Sequence, residues 1–264
     1  MPLLDLTGFL LTGVVSGLLA GLFGVGGGVI MVPALTLLFG HLGLGGDWVP
    51  HLAVGSSLTA IVGTGAASAL AHQRHGGVRW ELVAGLAPGI VLGAWAGAAL
   101  AGVLPGPWLT RLFAVFLAYV GGRMLIPPRS ATVRALPGRA GLWAVGGGIG
   151  ALSSLVGIGG GTLTVPFLSR HGVHLRQAVG TSAACGLPIA IAGTIGFVVV
   201  GWGREGLPAI SSGFVYWPAV GMLLLASIPT APLGARLAHW LPVKVLKRAF
   251  GVLLLVVATR LALG

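Results

Sequence analysis

The chain has 264 residues, of which 56% are hydrophobic and only 7% are charged, and its net charge is +11. Soluble domains carry about 25% charged residues, so this composition excludes a soluble globular protein and predicts an all-α polytopic membrane protein. The basic residues are not interleaved with aromatic residues, and we expect no nucleic-acid partner. A single cysteine, Cys185, excludes an internal disulfide and a cysteine-cluster metal site.

Apolar segments separated by polar loops follow one another along the chain. In order, they cover residues 6–39, 51–71, 80–101, 108–126, 141–169, 177–200, 213–237 and 243–262. The first and the fifth are interrupted by glycines. Between the fourth and the fifth lies "IPPRSATVRALPGRAG", the longest polar stretch, which indicates a linker. The start of the chain lacks the basic residues of a signal peptide, so we expect a retained first segment.

Three sequence blocks occur twice, in the same order. They are "LFGVGGGVIMVPAL" (22–35) with "LVGIGGGTLTVPFL" (155–168), "AVGSS" (53–57) with "AVGTS" (178–182), and "LP" (104–105) with "LP" (241–242). Their order and spacing indicate an internal duplication. We therefore predict an N-terminal membrane repeat over residues 1–126, a cytoplasmic linker over 127–139 and a C-terminal membrane repeat over 140–264.

The interrupted segments decide how the chain crosses the membrane. Residues 29–39 make a helix of about 16 Å, and residues 162–169 make a shorter one. The hydrocarbon core is about 30 Å thick, so neither arm crosses it. Two topologies result. Either each half makes four crossings in the same orientation, or each interrupted segment is a re-entrant hairpin before three transmembrane helices, which inverts the second half.

The 15 Lys and Arg residues distinguish these two topologies. Four crossings per half divide them 8 to 7 between the two sides, which is no bias. Hairpins with the N-terminus outside leave only Arg111, Arg204 and Arg260 outside and the other twelve inside. Because cytoplasmic loops of membrane proteins are rich in Lys and Arg, the charges favour inverted repeats with re-entrant hairpins.

The two glycine runs predict a substrate site. Broken helices at corresponding positions of inverted halves are typical of a transporter's binding site near the midplane. The short helix after each run begins with unpaired N–H groups at a positive dipole end, which suit an anion. The candidate substrate-binding glycines are Gly26, Gly27, Gly28, Gly159, Gly160 and Gly161. Close helix packing is the alternative, and we expect it for Gly85, Gly89, Gly93 and Gly97.

Side chains near the hairpins add further candidates. The second repeated block supplies hydroxyl groups that can donate to an oxyanion without carrying charge, although in helices such groups often bond to their own backbone. These candidates are Ser56, Ser57, Thr181 and Ser182. Arg111 and Arg248 occupy matching positions near the start of each half's last helix. They are candidate vestibule charges, and snorkelling to lipid headgroups is the alternative.

The other ionisable groups limit the chemistry of the protein. The carboxylates of Asp5, Asp47, Glu81 and Glu205 fall near predicted interfaces, so we expect no carboxylate proton relay. The seven histidines also fall near segment ends, and we expect solvated side chains without a metal. They are His41, His51, His72, His75, His171, His174 and His239. No nucleophile has a base at recognisable spacing, so we expect no enzymatic activity and no cofactor.

The duplicated glycine–proline block, the "AVGSS" and "AVGTS" blocks and the two "LP" steps resemble the sulfite exporter TauE/SafE family, also called TSUP permeases. The resemblance covers essentially the whole chain. It implies a transporter of sulfur-containing anions, such as sulfite, thiosulfate or sulfoacetate, in a bacterial or archaeal inner membrane. It also implies eight membrane segments in two repeats. It identifies no substrate-binding residue, so the candidates above come from the physical argument alone.

We therefore predict a multi-pass transporter for small anions of the sulfite, thiosulfate and sulfonate or sulfoacetate class. The predicted mechanism is export by alternating access, with the anion held between the two glycine tips. An interior-negative membrane potential favours anion export. The alternatives are an anion channel, an uptake permease for another organic anion and, with least support, an intramembrane enzyme. The expected partners are the anion and membrane lipid, and the sequence is compatible with a homodimer.

Overall fold

A computed structural model of the chain describes residues 3–24, 26–125, 135–237 and 243–263. The described residues form ten α-helices: α1 (Leu3–Phe23), α2 (Gly28–His41), α3 (Val49–Arg74), α4 (Trp80–Val103), α5 (Gly106–Leu125), α6 (Arg139–Val156), α7 (Gly161–Arg170), α8 (Leu175–Gly201), α9 (Trp217–Leu237) and α10 (Val243–Leu263). A 3₁₀ turn (Gly46–Trp48) precedes α3, and two short antiparallel strands, β1 (Ser211–Ser212) and β2 (Val215–Tyr216), precede α9. Most of the predicted linker lies outside the described residues, and its last residue, Arg139, begins α6.

The length and composition of the helices confirm the all-α polytopic membrane class. Six described helices are long and apolar enough to cross a membrane, and they lie within Leu6–Phe23, Gly46–Arg74, Trp80–Val103, Gly106–Leu125, Leu175–Gly201 and Trp217–Leu237. Large apolar side chains cover their outer faces. Leu92, Val115 and Val199, for example, are each more than 60% exposed, as expected for contact with lipid.

The helix contacts follow the internal duplication. Helices α1 to α5 correspond in order to α6 to α10. Helix α1 packs along α9, and the corresponding helix α6 packs along α4, while α3 packs on α8 and α5 on α10. Exchanging the two halves therefore preserves the pattern of contacts, which relates the halves by a pseudo-two-fold axis.

The directions of α3 and α8 show that the repeats are inverted. Near one end of the pair, a Cβ on Gly55 would lie 3.3 Å from the Phe197 side chain. Near the other end, a Cβ on Gly180 would lie 3.1 Å from the His72 side chain. The two helices thus run antiparallel. Since α3 and α8 occupy equivalent places in the two repeats, one repeat is upside down relative to the other, as the loop charges predict.

The arms α2 and α7 are too short to cross the membrane. With 14 and 10 residues, they extend about 21 and 15 Å, against a hydrocarbon core of about 30 Å. In the first hairpin, the incoming helix α1 has 21 residues and is longer than the returning helix α2. Near the end of α1, the carbonyl of Ala20 accepts a hydrogen bond from Ser68 at 3.2 Å, less than two turns before α3 ends. Helix α2 then runs back along α1, with Leu38 against Gly8.

The loops collect on two faces. Loops 42–48, 104–105 and 202–216 form face A, where the Arg204 guanidinium stacks 5.0 Å from the Trp48 ring and bonds the Gly102 carbonyl at 3.5 Å. Loops 75–79, 135–138 and 171–174 form face B. There the amide of Arg79 donates to the hydroxyl of Thr181, at 2.9 Å, early in α8. Faces A and B are the two membrane surfaces of the protein.

Glycines bring the helices of the two halves into backbone contact. Along α4, a Cβ on Gly89, Gly93 or Gly97 would overlap backbone atoms of α6. Along α1, a Cβ on Gly13 or Gly17 would overlap backbone atoms of α9. In lipid, where helices gain no hydrophobic energy by associating, such close approach provides much of the packing energy. The predicted packing role of the α4 glycines is therefore confirmed for these three positions.

We expect Gly93→Ala to destabilise the protein, because its Cβ would lie 2.9 Å from the Cα of Gly147 and overlap the carbonyl of the same residue. Overpacking of this kind costs about 1–3 kcal/mol. Gly148→Ala is the matched control, since a Cβ there meets nothing within 4 Å. Thermal unfolding in detergent should give a lower midpoint for Gly93→Ala only. Equal midpoints would contradict the backbone contact.

The topology predicts which loops share a membrane side. We expect reporter cysteines at His41 and Glu205, both exposed on face A, to be labelled by an impermeant maleimide from one side. A reporter at His174, exposed on face B, should be labelled from the opposite side. The background is Cys185→Ala, which removes the one native cysteine. Labelling of the His41 and His174 reporters from the same side would contradict the inverted hairpins.

Candidate functional site

The two glycine tips meet at the centre of the molecule. A Cβ on Gly26 would lie 3.2 Å from the Cα of Gly159, and a Cβ on Gly28 would lie 2.9 Å from the Cα of Ile158. Both tips contact the middle of the long central helices. Gly26 lies against Ile61 in α3, and Gly159 lies against Gly186 in α8. Chain segments from opposite membrane faces therefore converge near the midplane.

Glycine is required at the tips for two separate reasons. Gly24, Gly26, Gly27 and Gly157 have φ angles of +64°, +76°, +81° and +75°, a region that other residues avoid. The tips are also so close that a side chain would overlap the backbone of the opposite tip. Together these constraints explain why both runs contain almost no other residue type.

The helices that leave the tips present unpaired amides. In α2, the amides of Ile30 and Met31 bond the Gly27 carbonyl, so the amides of Gly28 and Val29 precede the first intrahelical bond. In α7, the amides of Leu163 and Thr164 bond the Gly160 carbonyl in the same way, and Gly161 bonds Gly159. All six predicted glycines lie at this junction, where the positive ends of two helix dipoles converge.

Two of the predicted hydroxyls join each tip to the opposite half. Ser57 in α3 donates to the carbonyl of Gly157 in the second tip, at 3.0 Å. Ser182 in α8 donates to the carbonyl of Gly24 in the first tip, at 3.4 Å. These two bonds are equivalent under the pseudo-two-fold axis. Each satisfies a buried carbonyl that the tip geometry leaves without a helical partner.

The other two predicted hydroxyls support helix starts. The Ser56 hydroxyl accepts a hydrogen bond from the amide of Tyr216, at 3.0 Å, directly before α9. The Thr181 hydroxyl accepts one from the amide of Arg79, at 2.9 Å, directly before α4. This pair is again equivalent in the two halves. Ser57 and Ser182 thus adjoin the tips, while Ser56 and Thr181 lie toward the faces, and a substrate role for all four stays a prediction.

The predicted vestibule arginines lie away from the tips. The guanidinium of Arg111 stacks 5.3 Å from the Trp108 ring on the exposed side of α5, and Arg248 is exposed on α10. Face A instead has a cleft of about 800 Å³ between the 3₁₀ turn and the ends of α4 and α5. Arg204 and Asp47 line it. Arg204 is not among the predicted vestibule charges, because this loop residue has no repeat partner.

Two histidines contradict the expectation of solvated rings. His51 is fully buried, and its Nε2 bonds the carbonyls of Ala101 at 2.9 Å and Leu104 at 3.1 Å. His72 is also buried, and its Nε2 bonds the carbonyl of Gly21 at 3.1 Å. Both rings therefore satisfy carbonyls near helix ends. Among the described residues, no group of three His, Cys, Asp or Glu side chains could hold a metal ion.

Comparison with known proteins identifies the family. The sequence profile of the family described as "Sulfite exporter TauE/SafE" matches residues 9–261. The chain belongs to the TauE/SafE family. As expected for this family of membrane transporters, the described helices include six long apolar spans. No solved structure matches the chain significantly.

Several relatives of this TauE/SafE protein have been named. A "Probable membrane transporter protein" of Haemophilus influenzae is 38% identical over 258 residues, covering 96% of this chain and 97% of the relative. "Probable membrane transporter protein YdhB" of Bacillus subtilis is 29% identical, covering 88% and 90%. "Probable membrane transporter protein MamO" of Paramagnetospirillum magneticum is 27% identical, and this chain spans only 44% of its length.

Three buried hydroxyls in this TauE/SafE protein were missed by the sequence argument. Ser153 and Ser154 lie in the last turn of α6, and Thr164 lies in the first turn of α7, so all three flank the second tip. Aligning the two glycine blocks pairs these positions with Ala20, Gly21 and Met31 of the first half. The signal in the sequence is this difference between the repeats, since the second hairpin has hydroxyl groups at three positions where the first has none.

We expect Ser57→Ala to lower the free energy of unfolding by about 1–2 kcal/mol, because it leaves the buried Gly157 carbonyl without its partner. Ser182→Ala should cost less, since its bond is longer. Ser169→Ala, at an exposed serine of α7, is the matched control. Denaturation by SDS in mixed micelles measures all three. Equal stability of Ser57→Ala and Ser169→Ala would show that the cross-half bond contributes nothing.

Proposed function

We propose that this TauE/SafE protein exports small sulfur-containing anions of the sulfite, thiosulfate and sulfonate or sulfoacetate class. The observation that carries the proposal is the convergence of two helix N-termini, one from each inverted half, at the glycine tips. The description of the matching family as a sulfite exporter supports the choice of anion.

A neutral site suits a transported anion. Backbone amides at helix starts stabilise negative charge without a cationic side chain, as in many phosphate and sulfate sites. A buried arginine would bind the anion more tightly but would also retain it, whereas transport requires release. The described arginines lie toward the helix ends and in loops, and none adjoins the tips. We infer that amides, not guanidinium groups, hold the anion.

The inverted repeats supply a mechanism for alternating access. Each tip is anchored to a central helix of the opposite half, through Ser57 and Ser182. Movement of one half relative to the other would therefore open the site toward one membrane face and close it toward the other. The direct contact of Gly26 with Gly159 blocks the centre of the molecule, which favours a carrier over an open channel.

We propose that face B is cytoplasmic and that the N-terminus lies outside. Arg74, Arg79, Arg139, Arg170 and Arg176 all lie at or near face B. Such an excess of basic residues is typical of the cytoplasmic side of an inner membrane. In this orientation an interior-negative potential contributes about 2.3 kcal/mol per charge per 100 mV toward anion export.

We expect proteoliposomes containing the protein to show saturable ³⁵S-sulfite flux with counterflow. Gly160→Ala should reduce this flux by about tenfold or more, because the added methyl group occupies the start of α7. The variant should still fold, since its Cβ meets the flexible end of Ile189, at 2.5 Å. Gly40→Ala on α2 is the matched control, because a Cβ there meets nothing within 4 Å.

The outcomes of this experiment separate the alternatives. Linear flux without counterflow would indicate a channel. Flux of an unrelated organic anion, with sulfite and sulfonates inert, would exclude the proposed substrate class. Unchanged sulfite flux in Gly160→Ala would show that the second tip does not line the path of the anion. Inward flux driven against the potential by a coupled ion would indicate an uptake permease.

A further inference from the structure

Three buried hydroxyl groups beside the second tip have no hydrogen-bond partner among the described residues. They belong to Ser153, Ser154 and Thr164, whose side chains are 0% exposed. The hydroxyl of Thr162, one position into α7, is also buried and unpartnered. Buried hydroxyls are nearly always paired, and leaving one unpaired is costly. Four in one hairpin therefore require an explanation.

Hydroxyls elsewhere in these helices bond to their own backbone. Thr59 donates to the carbonyl of Gly55, Thr64 to that of Ala60, and Thr230 to that of Ala226, each four residues earlier. Thr164 has the same option, because the carbonyl of Gly160 lies four residues before it. Its hydroxyl does not make this bond, so it is available to a ligand.

Two of these hydroxyls lie against one stripe of α8. A Cβ on Gly160 would lie 3.1 Å from the Thr164 hydroxyl and 2.5 Å from the Ile189 side chain. A Cβ on Gly193 would lie 3.1 Å from the Ser154 hydroxyl. Ile189 and Gly193 are one helical turn apart on α8. The hydroxyls of Ser154 and Thr164 thus face this strip of α8 beside the positive end of α7, where the side chains of Leu58 and Ile149 also lie.

The first half has the opposite arrangement of polar groups. The positions equivalent to Ile189 and Gly193 in the "AVGSS" register are Thr64 and Ser68 of α3. Both are satisfied, since Thr64 pairs with Ser227 at 2.6 Å and Ser68 donates to the carbonyl of Ala20. The first half therefore has no unpartnered hydroxyls at these places. The asymmetry is specific to the second hairpin.

We propose that Ser153, Ser154 and Thr164, the three of these residues that are fully buried, form the subsite that binds the oxygens of the transported anion. This inference rests on the proposed function and adds two features to it. The anion lies on the second hairpin, not midway between two equal tips. The hydroxyls select a group with three oxygens, such as sulfite or a sulfonate, over a carboxylate with two.

The chemistry of the strip favours an anion over a cation. Hydroxyl oxygens also coordinate cations, but a cation in an apolar interior would need further carbonyl or carboxylate ligands to complete its shell and balance its charge. The carbonyls of Ser153 and Ser154 already accept the amides of Ile158 and Gly157, at 2.9 and 3.2 Å. The described carboxylates of Asp47, Glu81 and Glu205 lie at loops and helix ends. Hydroxyl protons and the α7 dipole remain, and both stabilise negative charge.

The number of donors predicts selectivity between groups. Each serine or threonine hydroxyl donates one hydrogen bond, so three hydroxyls match the three oxygens of a sulfonate. A carboxylate has only two oxygens, which lie in one plane, so two of the hydroxyls would have to share one oxygen in poorer geometry. A site that holds buried polar groups discriminates strongly against a ligand that fails to pair them. We expect the wild-type protein to bind methanesulfonate at least about tenfold more tightly than acetate.

The test uses the full-length protein in detergent, with sulfite, methanesulfonate and acetate as probes in calorimetry. Thr164→Val and Ser154→Ala should weaken methanesulfonate binding by about tenfold or more and reduce its preference over acetate. Their melting temperatures without ligand should be unchanged or higher, because each variant removes an unpartnered hydroxyl. Thr36→Val on α2 is the matched control, since its hydroxyl bonds the carbonyl of Val32 in its own helix.

The outcomes distinguish this inference from the proposed function. If the wild-type protein binds sulfite and methanesulfonate but both variants bind them equally well, the subsite is wrong and the proposed function stands. If the wild-type protein binds neither probe, both fail. Repeating the calorimetry with choline salts in place of sodium salts tests whether the hydroxyls bind a sodium ion. Loss of a sodium dependence in Thr164→Val, with unchanged anion affinity, would assign the hydroxyls to sodium and overturn the subsite.

Discussion

The structure depends on satisfying backbone groups where no water is available. An irregular turn inside the hydrocarbon leaves carbonyls and amides that would cost several kcal/mol each if unpaired. Each central helix satisfies a carbonyl in the tip of the opposite half. Ser57 of α3 bonds the carbonyl of Gly157, and Ser182 of α8 bonds that of Gly24. Neither hairpin could hold its turn in place without the opposite central helix. The glycine tips and the interface between the halves are therefore one structure.

Long helices of each half also pack against long helices of the other half. Helix α1 packs on α9 and α6 packs on α4, with glycines removing side chains from the contacts. The result is a frame of long helices around two shorter arms, each of which begins at a glycine tip. The long helices are held together by van der Waals contact over many residues, whereas a few hydrogen bonds hold the tips of the short arms in place.

The sequence predicts the order and hairpin arrangement of the helices well, because segment length, glycine spacing and loop charge are local properties. The same pattern placed Gly26 and Gly159 among the candidate residues, and they meet at the centre. It could not predict which groups pair across the halves. The burial of His51 against the Ala101 and Leu104 carbonyls depends on which helix ends adjoin α3, and that information is not local. The unpartnered hydroxyl of Thr164 depends likewise on what α8 presents opposite it.

The packing of α1 against α9 also has a consequence for biosynthesis. A chain made from its N-terminus inserts α1 long before its partner α9 exists, since about 190 residues separate them. Until α9 is inserted, the glycine face of α1, formed by Gly13, Gly17 and Gly21, must contact lipid or another helix. Folding of the first repeat is thus completed only when the second repeat enters the membrane. Truncated products that end before α9 should be substrates for membrane quality-control proteases.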